Sequence, residues 1–165
     1  MKNILVTFFS HSGNKKSIAE KISDATGGDL FEIKTVEPYP ADYNTVLALA
    51  KKELNAAHRP KLASKVENMD AYDVVFIGYP NWWSTMPTGV FSFLEEYDFS
   101  GKTIIPFCTH GGSGLGRSER DIVKLYPTSK LLEGLAVTDS SIDRSHGSVM
   151  YWLDKLGFTK SGITK

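Results

Sequence analysis

Ile4-Leu5-Val6-Thr7-Phe8-Phe9 runs straight into Ser10-His11-Ser12-Gly13-Asn14-Lys15, and then into Ile18, Ala19, Ile22 and Ala25 at helical spacing. A continuous apolar run of this length reads as a strand buried on both faces, and apolar residues three and four apart read as one face of an amphipathic helix. The helix stops at Gly27-Gly28, the residue type that tolerates a left-handed helix end. One strand, one polar loop and one helix make the first half of a β-α-β unit.

The same unit recurs along the chain. Further β-rich runs stand at Leu30 to Val36, Val74 to Gly78, Thr103 to Cys108 and Leu131 to Val137. Asp42 is placed to cap a second helix with the apolar face Val46, Leu47, Ala50 and Leu54. Val90, Phe93, Leu94 and Tyr97 mark a third. Ile122, Val123 and Tyr126 mark a fourth that Pro127 ends, and Val149, Trp152, Leu153 and Leu156 a fifth closed by Gly157. Five strand-helix pairs in alternation predict a parallel sheet with helices on both faces.

Val74-Val75-Phe76-Ile77 and Ile4-Leu5-Val6 are uninterrupted and belong in the centre of that sheet. Phe31-Glu32-Ile33-Lys34 alternates and Leu131-Leu132-Glu133-Gly134 is broken, which puts the second and fifth strands at the edges in the order 2-1-3-4-5. Pro106 is an awkward guest in the fourth strand, because proline cannot donate to a ladder.

The 165 residues are 41% hydrophobic and 23% charged, as expected of a single globular domain over 1–165. Nineteen Lys plus Arg balance nineteen Asp plus Glu, which argues against a nucleic-acid binder or a polybasic membrane protein. No apolar stretch approaches the ~20 residues that cross a bilayer. With one cysteine, Cys108, and no secretory signal pattern, the expected location is the cytoplasm. His11, His58 and His146 lack companions at ligand spacing, so no metal site is expected, and Cys108 reads as a small core residue.

Ligands of open parallel sheets bind beyond the carboxyl ends of the strands, where strand order reverses. Three loops qualify. Ser10 to Lys15 offers hydroxyls, a permissive glycine and the N–H groups of a helix start, the chemistry of a phosphate cradle or of an ordinary capped turn. It fits neither the G-x-G-x-x-G nor the Walker pattern. Tyr79-Pro80-Asn81-Trp82-Trp83-Ser84-Thr85-Met86-Pro87 is uncharged and carries two adjacent indoles able to stack on a flat conjugated ring, unless they fill the core. Adjacent residues point in different directions, so one can pack inward while the other lines a site. Thr109-His110-Gly111-Gly112-Ser113-Gly114-Leu115-Gly116 exposes backbone at close approach, or is simply a flexible loop.

Taken together, Ser10-His11-Ser12-Gly13-Asn14-Lys15 after the first strand and the five-unit pattern resemble the flavodoxin family over nearly the whole chain. Tyr39-Pro40-Ala41-Asp42-Tyr43, Ala50-Lys51-Lys52-Glu53 with Arg59-Pro60, and Pro80-Asn81-Trp82-Trp83 look like a bacterial flavodoxin-like subfamily. The resemblance implies a three-layer sandwich around a five-stranded sheet. It also implies FMN, with its phosphate at Ser10, His11, Ser12, Gly13, Asn14 and Lys15. The isoalloxazine would lie against Pro80, Asn81, Trp82, Trp83 and Ser84 and against Thr109, His110, Gly111, Gly112 and Ser113. Lys15 departs from the hydroxyl usual in the family.

Flavodoxins that carry electrons are characteristically acidic near the flavin and shield its second face with a tyrosine after strand four. This chain has zero net charge and no aromatic residue from Thr109 to Gly116. An open ring face suits a reductase taking hydride from NAD(P)H and passing electrons to a quinone or similar acceptor; the alternative is a single-electron carrier between partner proteins. Lys15, His110 and Arg117 form a mildly basic rim, with His110 the candidate proton donor. Tyr151, Trp152 and the tryptophan loop are candidate interface residues of a homodimer.

Overall fold

The computed structural model describes residues 3–9, 14–110, 112 and 114–158, without the side chains of Asn14, Lys15, Asp139 and Asp143. Its strands are β1 (Ile4–Phe8), β2 (Asp29–Glu32), β3 (Val74–Pro80), β4 (Thr103–His110), β5 (Lys130–Leu131) and β6 (Leu135–Thr138). Its helices are α1 (Asn14–Thr26), α2 (Tyr43–Asn55), α3 (Thr88–Glu96), α4 (Ser118–Leu125) and α5 (His146–Leu156). All strand pairings are parallel, in the order β2-β1-β3-β4-β5, with β6 also on β4. The central strands β1 and β3 are buried along their whole length, whereas β2 is exposed at its start, as their composition predicts.

The strand period of two sorts the core into two layers. Ile4, Val6 and Phe8 face one side with Val74 and Phe76, where Ile18 and Ile22 of α1 and Val149 and Trp152 of α5 cover them. Leu5, Val75 and Ile77 face the other side, under Val46 of α2, Val90 and Phe93 of α3 and Ile122 of α4. Helix ends follow their capping residues. Asp42 accepts the Thr45 N–H at 2.9 Å at the start of α2, and Gly157 closes α5 at φ 84°.

Two strands differ from the sequence reading. The fifth is not one run from Leu131 to Val137 but two pieces with a bulge between them: Leu132, Glu133 and Gly134 stand against only Ile105 and Pro106 of β4. The cause is Pro106. Leu132 donates to the Ile104 carbonyl at 3.1 Å, so Ile104 faces this edge, and so does Pro106 two residues on, which has no N–H to offer. Gly134 fits there because a Cβ would lie 2.9 Å from Pro106 Cγ and 3.0 Å from its carbonyl oxygen. The second strand ends at Glu32 rather than Val36. Beyond it Thr35 bridges Leu62 in antiparallel sense, with Val36 N–H on the Lys61 carbonyl and Ala63 N–H on that of Lys34, both at 2.8 Å. This short bridge anchors the connection from α2 to β3, which the sequence reading left unassigned.

Candidate functional site

The carboxyl ends of β1, β3 and β4 lie side by side, and the loops that leave β3 and β4 are tied into one body. Pro80 pairs with Thr109, the Asn81 N–H donates to the Thr109 carbonyl at 2.9 Å, and the Asn81 side-chain amide donates to the Gly114 carbonyl at 2.7 Å. Below this, the buried Tyr79 hydroxyl donates to Ser118 Oγ at 2.8 Å, and Ser118 donates to the Leu115 carbonyl at 2.6 Å. Burial pushes the Tyr79 phenol well above its ordinary value of 10.0, so it remains a neutral donor.

Trp82 to Thr85 form a tight turn closed in both directions: Trp82 N–H to the Thr85 carbonyl at 3.0 Å and Thr85 N–H to the Trp82 carbonyl at 3.3 Å. Both central residues have positive φ, Trp83 at 57° and Ser84 at 70°, a geometry that usually selects Asn-Gly. Backbone of this kind costs about 1–3 kcal/mol per residue and persists where neighbours over-determine it. Three neighbours do so here. Arg117 N–H donates to the Ser84 carbonyl at 2.7 Å, Thr85 Oγ1 donates to Asp121, and the Trp83 indole N–H donates to the Leu47 carbonyl of α2 at 2.7 Å.

The two tryptophans therefore part company. Trp82 is only 4% exposed and meets Phe9 and Tyr39 edge-to-face at 5.7 and 5.6 Å, so it is a core residue and its face is not part of an open wall. Trp83 is 43% exposed. Tyr39 is itself fixed by Glu53, which accepts its hydroxyl at 2.6 Å and that of Thr88 at 3.1 Å; burial, then this bond, raise the Tyr39 phenol above its usual range.

Of the other expected site residues, Ser10, His11, Ser12, Gly13, Gly111 and Ser113 lie outside the described residues, as do the side chains of Asn14 and Lys15. Pro80 and Thr109 are buried in the strands, while Ser84 and Gly112 are exposed. His110 ends β4 half-buried, and its Nδ1 accepts the Gly112 N–H at 2.9 Å. An accepting Nδ1 carries no proton, so the neutral ring presents its proton on Nε2. The basic rim is thinner than the sequence suggests, since Arg117 Nε lies 3.6 Å from Asp121. The sequence reading missed Asp121, Ser118 and Lys51, whose parts depend on the turn geometry.

In the loop after β4, Gly112 (φ 154°) and Gly114 (φ 66°) would bear a Cβ with no neighbour within 4 Å, so their backbone is uncrowded. A cleft of about 1000 Å³ lies at the opposite end of the strands, among Asn3, Gly27, Asp29, Asn68 and Tyr72. It faces the carboxyl-terminal ends of α1 and α5, which repel anions.

A family model for flavodoxin matches residues 3–156. The chain belongs to the flavodoxin family. Among solved structures, this flavodoxin-family chain is similar to a proposed flavoprotein from Bacteroides eggerthii at 38% identity, covering 93% of this chain and 97% of that one with a TM-score of 0.82. The FMN complex of a flavoprotein from Lactobacillus acidophilus shares the fold at 23% identity, covering 87% and 98% with a TM-score of 0.70. Flavodoxin 2 from Bacillus cereus does so at 19% identity, covering 93% and 99% with a TM-score of 0.55. No curated protein sequence matches the chain. Among the described residues no helix is long and apolar enough to cross a membrane.

Proposed function

We propose that this flavodoxin-family protein binds FMN and works as an oxidoreductase, taking electrons from NAD(P)H and delivering them to a quinone or similar acceptor. The observation that carries this reading is in the β4 loop, where a Cβ on Gly112 or Gly114 would meet nothing within 4 Å, so no side chain at these two positions covers a ring set against the β3 loop. The FMN complex of the Lactobacillus acidophilus protein on the same fold supports the choice of flavin. Bound FMN supplies hydride and single-electron chemistry.

The protein supplies position. Ser10 to Lys15 precede and open α1, whose first turn carries no carboxylate to compete with a phosphate for the positive helix end. Asn81, Trp83 and Ser84 with Thr109 to Ser113 frame the ring. The turn at Trp83 and Ser84 is stiffened by Arg117 and Asp121, so little reorganisation is needed on binding. His110 holds a proton on Nε2 for a carbonyl oxygen at the site rim.

The test is anaerobic. The FMN-loaded protein, freed of excess flavin, receives NADH or NADPH while the visible flavin absorbance is followed. Rapid bleaching is the expected result. A bound flavin that stays oxidised with both donors replaces the reductase with a single-electron carrier, and failure to retain FMN removes the flavin reading.

A further inference from the structure

Helix α2 flanks the loop between β3 and α3 and grips it at several points. The Leu47 carbonyl takes the Trp83 indole N–H, and the Lys51 ammonium stands 4.9 Å from the centroid of the same ring. Further along, Glu53 turns inward, its side chain only 14% exposed. Its Oε1 accepts two hydroxyls, from Tyr39 at 2.6 Å and from Thr88 at 3.1 Å, while Oε2 faces His58 Nε2 at 3.9 Å.

Those two hydroxyls belong to opposite ends of the β3 loop. Thr88 opens α3 directly after Pro87 and is buried. Tyr39 backs the other end: its ring meets Trp82 edge-to-face at 5.6 Å and Phe9 at 5.7 Å, and Phe9 meets Trp82 at 5.7 Å. The three rings form one wedge. Phe9 closes it against α3, where a Cβ on Gly89 would come within 3.1 Å of Phe9 Cε2. The side chains of a binding site keep their geometry when the residues behind them are locked by packing and hydrogen bonds. Edge-to-face packing sets the tilt of the Tyr39 ring, and the hydroxyl bond to Glu53, with the length usual for a hydroxyl on a carboxylate, sets where the ring sits.

We infer that Glu53 is a positioning residue for the flavin ring: one carboxylate oxygen on α2 sets the Trp82 end and the Thr88 end of the loop together, and with them the places of Asn81, Trp83 and Ser84. This rests on the FMN reading. Tyr39 and Thr88 are not themselves among the residues that frame the ring, so Glu53 acts through them. The role belongs to Oε1 as an acceptor. A glutamine with its amide oxygen in that place keeps both bonds, and a leucine keeps neither.

The test is an FMN titration of the apoproteins followed by flavin fluorescence, with visible circular dichroism of the FMN-saturated proteins and urea unfolding to show that each variant is folded at the assay temperature. Glu53→Leu is expected to bind FMN about tenfold more weakly, and Tyr39→Phe, which keeps the ring and loses one hydroxyl, about threefold more weakly. Both are expected to change the dichroism of the bound flavin at saturation. Glu53→Gln keeps the affinity and the dichroism of the parent protein. A role in stability alone lowers the urea midpoint but leaves the dichroism of the saturated complex unmoved, and that result overturns the proposal. So does a Glu53→Gln variant as impaired as Glu53→Leu. If Glu53→Leu does not fold, Tyr39→Phe with parental affinity and dichroism overturns it by itself. A parent protein that binds no FMN removes the flavin reading and the positioning role with it. A parent that binds FMN, beside variants that bind it equally well, removes the positioning role alone.

Discussion

Gly116→Ala probes the joint between the two site loops. Gly116 has φ 58°, and a Cβ built on it would lie 2.3 Å from the Ser84 carbonyl oxygen and 2.8 Å from its carbon. These are backbone atoms, so they can yield only if the whole Trp82–Thr85 turn moves and the 2.7 Å bond from Arg117 N–H to that oxygen breaks. The left-handed backbone costs an alanine about 1 kcal/mol, and loss of the hydrogen bond about 1 kcal/mol more. With displacement of the turn, the total is about 2–4 kcal/mol. Gly101→Ala is the control, because Gly101 has φ 78° but nothing within 4 Å of its Cβ, so only the backbone cost applies. For a chain of this size about 1 kcal/mol lowers Tm by roughly 2–4 °C. Thermal unfolding of the apoproteins should therefore show a drop of about 2–4 °C for the control and about 4–16 °C for Gly116→Ala. FMN affinity should fall about tenfold in Gly116→Ala alone if about 1.4 kcal/mol of its cost lies on the site. Equal Tm losses in the two variants would refute the docked-loop argument.

Trp82→Ala and Trp83→Ala should separate stability from cofactor spectrum. Removal of the core indole costs about 3–5 kcal/mol in urea unfolding, whereas removal of the exposed one changes the visible absorption of bound FMN at little cost in stability. Asp42 is held below its ordinary value of 3.8 by the Thr45 hydroxyl and N–H. Its contribution is therefore complete above that value and disappears as pH falls through the lower folded one. Asp42→Ala should be less stable than the parent protein near neutrality, and the Tm difference should close in strongly acidic solution. The proposed homodimer has lost one of its candidates, since Trp152 is buried with its indole N–H on the Glu133 carbonyl at 2.9 Å, but Tyr151 remains 74% exposed. Sedimentation equilibrium at micromolar protein should show a dimer that Tyr151→Lys dissociates; a monomer at every concentration removes the interface.

The architecture was legible because burial is written into strand composition. Val74 to Ile77 and Ile4 to Val6 are apolar without interruption, so they had to lie between two helix layers, and the alternating second strand had to take an edge. What escaped the sequence reading was set by partners distant in the chain. Pro106 was visibly out of place, but the bulge that accommodates it belongs to the strand opposite, where Gly134 admits the proline ring. The tryptophan loop shows the same limit at the site. That Trp82 and Trp83 diverge follows from chain geometry, yet which one turns inward depends on the positive φ of Trp83 and Ser84, and Trp-Trp-Ser-Thr carries no turn signal that would announce it. The conformation is imposed from outside by Arg117, Asp121 and the Leu47 carbonyl, each more than thirty residues away. Lys51 was quoted only as part of a motif, because nothing in Ala50-Lys51-Lys52-Glu53 says that the first lysine stands over an indole while Glu53 two residues on turns inward to Tyr39. Local composition thus decides the order of the strands, and contacts between remote loops decide which side chains of the loops beyond them turn inward and which stay exposed.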